Sequence, residues 1–168
     1  MSKPEIFHSI FARNCEVRHI DKATASQFLS ANHLYGDCAS RYRYGIYVSR
    51  YSGAEMRSED HPYPVGTLVA AACFSSARKW LKGEVTIRSY EWVRYASLPE
   101  VRVVGGMGKV LQTFVDEVRP DDVMSYAPAE HYEGEVYRKL GFKKVGIKQF
   151  GESSSIKYRL KLTPYEEE

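Results

Sequence analysis

Between positions 102 and 109 the chain reads Arg102-Val103-Val104-Gly105-Gly106-Met107-Gly108-Lys109. Glycine lets a backbone come close to a phosphate, and at the start of a helix the unpaired N–H groups and the positive end of the dipole point at it. Such a turn can cradle an anion if a strand delivers it and a helix leaves it; a purely structural turn has the same composition. The three cysteines, Cys15, Cys38 and Cys73, are odd in number and widely spaced. They suit neither a disulfide framework nor a paired metal knuckle, and no metal is expected. None stands beside a base, so a cysteinyl thioester intermediate has no support. His33, in Asn32-His33-Leu34-Tyr35-Gly36, and the pair Ser125-Tyr126 are polar groups that either pack or meet a substrate. Arg41, Arg43, Arg50, Arg57, Arg78, Lys79, Lys82 and Arg88 cluster early, whereas the chain ends in Glu166, Glu167 and Glu168. That basic stretch is either a solvated face or an anion-binding surface.

The elements that position these groups follow from hydrophobic periodicity. Glu16 to Asp21 alternates like a strand, and Lys22 to Asn32 changes to helical spacing through Ala25, Phe28 and Leu29. Tyr44 to Tyr51 and Val65 to Phe74 read as strands joined by a polar loop, Ser52 to Pro64. Ser75 to Glu84 is polar and basic and reads as a connection to a central strand, Val85 to Ala96. After Leu98-Pro99 and the glycine turn, Lys109 to Val118 places Val110, Leu111, Phe114, Val115 and Val118 on one helical face. A strand at Val123 to Ala127, a helix at Glu130 to Leu140 and strands at Lys144 to Phe150 and Ile156 to Leu162 complete the chain. Helical crossovers demand parallel pairing and hairpins antiparallel, so the pattern is α/β with a mixed sheet.

At 168 residues, 43% hydrophobic and 27% charged, the sequence fits one globular domain spanning 1–168. No apolar run approaches the roughly 20 residues of a membrane span, so no membrane partner is expected. The first residues lack an apolar core and a small-residue cleavage site, which makes a cytoplasmic location the expectation. The oligomeric state stays open.

Three stretches together resemble the GNAT superfamily of acyl-CoA-dependent N-acyltransferases. The first is the turn itself: Arg102 and Gly105 stand where the pattern Gln/Arg-x-x-Gly-x-Gly/Ala has them, with Met107 at the second small position and Gly108 one place later. The second, Tyr137-Arg138-Lys139-Leu140-Gly141-Phe142, is similar to the aromatic-x-Lys-Leu-Gly-Phe ending of a family helix; it also reads as a glycine C-cap. The third, Tyr90 to Ser97, is similar to the central strand, in which a glutamate precedes the turn by this interval. Ahead of Tyr137, His131, Glu133 and Gly134 stand where the family commonly has Asn and Ala.

The resemblance implies a mixed central sheet of about seven strands flanked by about four helices, with acetyl-CoA as cosubstrate and a primary amine as acceptor. It implies that Arg102 and the amides of Val104, Gly105, Gly106, Met107, Gly108 and Lys109 hold the pyrophosphate, and that backbone groups of Tyr95 and Ser97 meet the pantetheine arm. Glu91 becomes the candidate base for the amine and Tyr137 the candidate acid for the departing thiolate, while an amide near Val93 to Tyr95 would polarise the thioester carbonyl. His33, Tyr35, Ser125 and Tyr126 fall where an acceptor would lie. Two alternatives accompany this reading. One is a nucleic-acid base-modifying protein of the Mom type, for which Tyr42, Tyr44, Tyr47 and Tyr51 among arginines would offer stacking surfaces. The other is an acyl-CoA-binding module without catalysis.

Overall fold

The computed structural model describes residues 8–51, 63–128 and 133–165. In chain order the elements are β1 (His8–Phe11), a 3-10 turn (Ala12–Asn14), β2 (Cys15–His19), α1 (Lys22–Asn32), β3 (Tyr42–Val48), β4 (Leu68–Phe74), β5 (Arg78–Lys82) and β6 (Val85–Ser97). There follow β7 (Val101–Val104), α2 (Gly106–Val118), β8 (Asp122–Pro128), α3 (Glu133–Lys139), β9 (Lys143–Phe150) and β10 (Ser153–Lys161). The main sheet runs β2-β3-β4-β6-β8-β10-β9, with β5 also on β6, and β1 pairs with β7 apart from it. Only the β6–β8 contact in the main sheet is parallel, as the crossover through α2 requires. The α/β mixed-sheet expectation therefore holds. Three α-helices occur among the described residues where about four were expected.

Three strands escaped the sequence reading. Arg78 to Lys82 pairs with Val85 to Ser89 across a tight turn at Gly83, whose φ is +63°. Its basic side chains are largely exposed, so no apolar alternation marks it. The other two, β1 and β7, are four residues each and pair only with one another. The expected helix from Glu130 begins among the described residues at Glu133; positions 129–132 and most of the 52–64 loop lie outside them.

Helix α1 starts where Asp21 accepts a hydrogen bond from Thr24 N at 2.7 Å. It packs Phe28 and Leu29 on Ala71, Cys73 and Ala96, one face of the sheet. On the opposite face α2 buries Val110, Leu111 and Phe114. The Phe114 ring stacks on Phe74 at 4.0 Å and meets Tyr90 edge-on at 5.4 Å. Burial of such a ring stabilises by about 1.5–3 kcal/mol, which fixes α2, and the turn preceding it, to the sheet.

The central parallel pair is short. Its register runs Ser89↔Asp122, Tyr90↔Val123, Glu91↔Met124 and stops, although β6 continues on its other edge with β4 as far as Ser97. The closed end is held by a buried network. Trp80 Nε1 donates to Ser89 Oγ at 2.9 Å, and Ser89 donates to Asp122 Oδ2 at 3.0 Å. The Tyr165 hydroxyl donates to the same carboxylate. Beyond Glu91 the strands part, and the cleft between them is where the candidate residues meet.

Candidate active site

The glycine turn carries the chain from β7 into the N-terminus of α2, the strand-to-helix placement that the sequence implies. Gly105 has φ +81° and caps α2, a backbone conformation that favours glycine. Lys109 N donates to Gly105 O at 3.1 Å, closing the first helical turn. The N–H groups of Gly106, Met107 and Gly108 are therefore the ones left without intrahelical acceptors, together with the dipole's positive end. A Cβ on Gly106 would lie 2.6 Å from Tyr95 Oη and 2.8 Å from Val103 Cγ1, so only glycine lets α2 approach β6 and β7 this closely. Lys109 corrects the expectation. Its amide is used within the helix, and its ammonium donates to Ala12 O at 2.8 Å and to Cys15 O. It fastens α2 to the 3-10 turn and the first residue of β2 instead of reaching toward the turn's mouth. Arg102 is exposed on β7, and Val104 beside the turn is 40% exposed.

A cavity of about 560 Å³ fills the gap between β6 and β8. Met107 reaches it from the turn, Glu91, Tyr95 and Ser97 from β6, Tyr126 from β8, Tyr137 from α3, and His33 and Tyr35 from the segment after α1. Ser97 Oγ donates to Val101 O at 3.0 Å, so its hydroxyl serves the chain's own turn and its backbone is what faces the cleft. The register against β4 slips between Cys73↔Arg94 and Phe74↔Trp92, which makes Val93 an extra residue in a β-bulge. A bulge frees a backbone amide from the ladder beside the cleft, as an oxyanion donor requires.

Strand alternation divides the two catalytic candidates between faces. Tyr90 and Trp92 face α2 and α3, Trp92 meeting the Tyr137 ring at 6.0 Å, so Glu91 points to the reverse face. Burial pushes the Glu91 carboxyl above the ordinary carboxylate range, against the pull of Lys148, Arg94, Lys157 and Arg78. A carboxylate shifted this way is a better base near neutral pH.

Tyr137 is buried and stacks on Tyr158 at 5.5 Å. The Ser125 hydroxyl lies 2.8 Å from Tyr137 Oη and 2.9 Å from Trp92 O. Ser125 has one proton to give and the carbonyl can only accept. When Ser125 donates to Trp92 O, Tyr137 donates to Ser125; when Ser125 turns to Tyr137, the phenol proton is released toward the cleft. Ser125 is thus a partner of Tyr137 from behind and is absent from the cavity lining.

His33 Nδ1 accepts from Tyr35 N at 3.0 Å, so the neutral ring carries its proton on Nε2. Burial, then Arg94, lowers its pKa to about 4. In this form His33 presents a donor and is a poor base. Arg94 is a residue the sequence reading missed. Its guanidinium donates to Gly36 O at 3.2 Å and to Val93 O at 3.0 Å, and lies 5.8 Å from the Tyr35 ring centroid, tying the segment after α1 over the cleft. Nothing in the local sequence separates it from its exposed basic neighbours. Two of the four tyrosines expected to offer stacking surfaces do not do so. Tyr44 is fully buried and donates to Glu117 at 2.9 Å, and Tyr42 packs edge-on against Tyr90 and Phe114, so neither offers a face for base stacking.

No family model and no curated protein matches the chain by sequence. Solved structures do match by fold. Arabidopsis thaliana NAA60 in complex with acetyl-CoA superposes with a TM-score of 0.64 at 8% identity, covering 88% of this chain and 99% of that one. The chain has the GNAT fold. A chain of the NatC complex bound to Gag peptide and CoA (TM-score 0.58, 14% identity, 89% and 99% covered) agrees with it. So does the ribosomal-protein-S18-alanine N-acetyltransferase from Escherichia coli (0.57, 12%, 91% and 97%). Within the GNAT fold, the parted central strands and the helix N-terminus beside them are the features around which this chain's candidate residues gather. No helix among the described residues is long and apolar enough to cross a membrane.

Proposed function

We propose that the chain transfers an acetyl group from acetyl-CoA to a primary amine by direct attack. The observation that carries this is the coincidence at one cleft of three independent features: a β6–β8 ladder that stops at Glu91, an α2 N-terminus with three unpaired amides, and a buried tyrosine on a serine relay. In this reading the amides of Gly106, Met107 and Gly108 take the pyrophosphate, and the edge of β6 beyond Glu91 takes the pantetheine arm. The thioester then arrives from the α2–α3 face, and the amine from the Glu91 face.

Glu91 takes a proton from the amine, directly or through water, as the nitrogen attacks the carbonyl carbon. The carbonyl oxygen gains charge that an amide at the Val93 bulge stabilises. The C–S bond breaks, and the thiolate takes the Tyr137 proton while Ser125 swings its own hydroxyl to the resulting phenolate. The products are an acetamide and free CoA thiol. One protein of similar fold is bound to a peptide and CoA and another is named as an N-acetyltransferase of a ribosomal protein's alanine, which supports an amine acceptor but does not choose it. The test is release of CoA thiol from acetyl-CoA with a panel of primary amines. Amine-dependent release lost in Glu91→Gln supports the reading; tight acetyl-CoA binding with no turnover on any amine points to a binding module instead.

A further inference from the structure

The face of the C-terminal half-sheet from which the amine would enter is set with cations. Tyr158 stacks on Tyr137 of α3, so its neighbours Lys157 and Arg159 lie on the reverse face. They stand in register with Tyr126 and Met124 of β8. Lys148, in register with Ser155, holds its ammonium 5.4 Å from the Tyr126 ring centroid. Arg78, at the start of β5, acts on the same groups: Glu91, Tyr126 and Lys157 all respond to its charge. Burial first, and then Arg159, Arg78 and Lys148, lower the Lys157 pKa, with Asp122 opposing them. Among the described residues, two carboxylates stand beside these four cations, Glu91 inside the cleft and Asp122, 3.9 Å from Arg159, at its closed end. The run continues into a second, more open groove of about 790 Å³ lined by Lys143, Lys144, Arg159 and Lys161.

A bare ammonium entering here meets four like charges and gains little from one carboxylate. An amine that brings its own negative group does not have that difficulty, and the same cations favour its neutral, nucleophilic form. Glu91, Met124 and Arg159 are cross-strand neighbours on β6, β8 and β10, so the backbones of Glu91 and Arg159 are about 10 Å apart, two strand spacings, with Lys157 two residues along β10 and Lys148 one strand further on β9. We propose that the acceptor carries a phosphate or carboxylate that seats against Lys148, Lys157 and Arg159 while its amine reaches Glu91. This rests on the transferase reading of the same cleft.

Three probes test it: O-phosphoethanolamine, an Ala-Glu-Glu tripeptide, and spermidine as the cationic control. Each is titrated calorimetrically into protein with and without CoA, and offered as acceptor in the thiol-release assay. The expected result is binding and turnover of one or both anionic probes over spermidine, the preferred one showing whether phosphate or carboxylate is read. In a Lys148→Ala/Lys157→Ala variant its KM rises about tenfold or more, while the KM for acetyl-CoA is unchanged. Preference for spermidine, or an anionic probe indifferent to the double variant, overturns the inference while leaving the transferase reading intact. If acetyl-CoA does not bind, the transferase reading fails, and binding of O-phosphoethanolamine that the double variant abolishes still supports the anion site. A single-stranded oligonucleotide bound with a steep salt slope when neither small anionic probe binds would overturn it in favour of a nucleic-acid surface.

Discussion

Replacing Gly106 by alanine puts a methyl carbon 2.6 Å from Tyr95 Oη, 2.8 Å from Val103 Cγ1 and 3.0 Å from Val103 Cβ. The hydroxyl can shift a little, but the valine is close to its own backbone on β7 and cannot swing away. Overpacking of this kind costs about 1–3 kcal/mol, offset by up to about 1 kcal/mol because alanine is the better helix former. A net loss of about 1–2 kcal/mol corresponds to roughly 2–8 °C in Tm for a chain of this size. Its neighbours in the turn are glycine for other reasons. Gly105 has space, the nearest atom being Ala12 Cβ at 3.6 Å, yet its φ of +81° costs an alanine about 1–2 kcal/mol in backbone strain. Gly108 is helical and would meet only Leu140 Cδ2 at 3.4 Å, so its alanine variant is neutral or gains up to about 1 kcal/mol. Urea unfolding of the three variants, with Tyr95→Phe/Gly106→Ala as the partner of a double-mutant cycle, reads these values directly. The double variant recovers part of the loss. A Gly106→Ala protein as stable as Gly108→Ala, or one that Tyr95→Phe does not relieve at all, would refute the packing argument.

Glu91→Gln lowers kcat/KM by about 10²–10⁴-fold and abolishes the rise of rate with pH through the raised carboxyl pKa, measured as a pH–rate profile. The same substitution raises stability at pH 7. Because the folded carboxyl binds its proton more tightly than the unfolded one, wild-type stability falls as pH climbs through that window, and the amide is free of the effect. Tyr137→Phe lowers kcat with little change in the acetyl-CoA KM, and Ser125→Ala does so more mildly, since it leaves the phenol in place; stopped-flow thiol release separates the two. His33, held neutral with a pKa of about 4, shows a flat NMR ring-proton shift between about pH 5.5 and 8, whereas an ordinary histidine titrates in that range. The unfolded ring binds protons below its ordinary pKa and the folded one does not, so this residue withdraws stability as pH falls from about 6.5 toward 4.

Helix α1 was legible because Ala25, Phe28 and Leu29 recur at helical spacing, whereas Asp21, read as the end of the strand before it, is its N-cap. The glycine turn was legible as a strand-to-helix turn because three glycines stand between an apolar strand pattern and an amphipathic helix. Strand β5 was hidden because both of its faces are largely wet, and alternation appears only where one face is buried. The Lys109 amide was expected on the pyrophosphate from its place beside the turn, but it donates to Gly105 O within the helix, and its side chain reaches carbonyls 97 and 94 positions earlier in the chain. Arg94 and the Ser125–Tyr137 relay depend on a bulge and on contacts between strands distant in sequence, which no local pattern records. The cation cluster was likewise invisible, since Arg78, Lys148, Lys157 and Arg159 come together only through the register of β5, β8, β9 and β10.

Calorimetric titration of acetyl-CoA into the wild type and into Gly108→Glu tests the central claim most directly. The position tolerates a side chain and a carboxylate in the first helical turn favours α2, so the variant keeps its fold while setting a negative charge on the proposed pyrophosphate site. Micromolar binding by the wild type that the folded variant loses is the predicted result; no binding by the wild type, or equal binding by both, would contradict a CoA site at this turn.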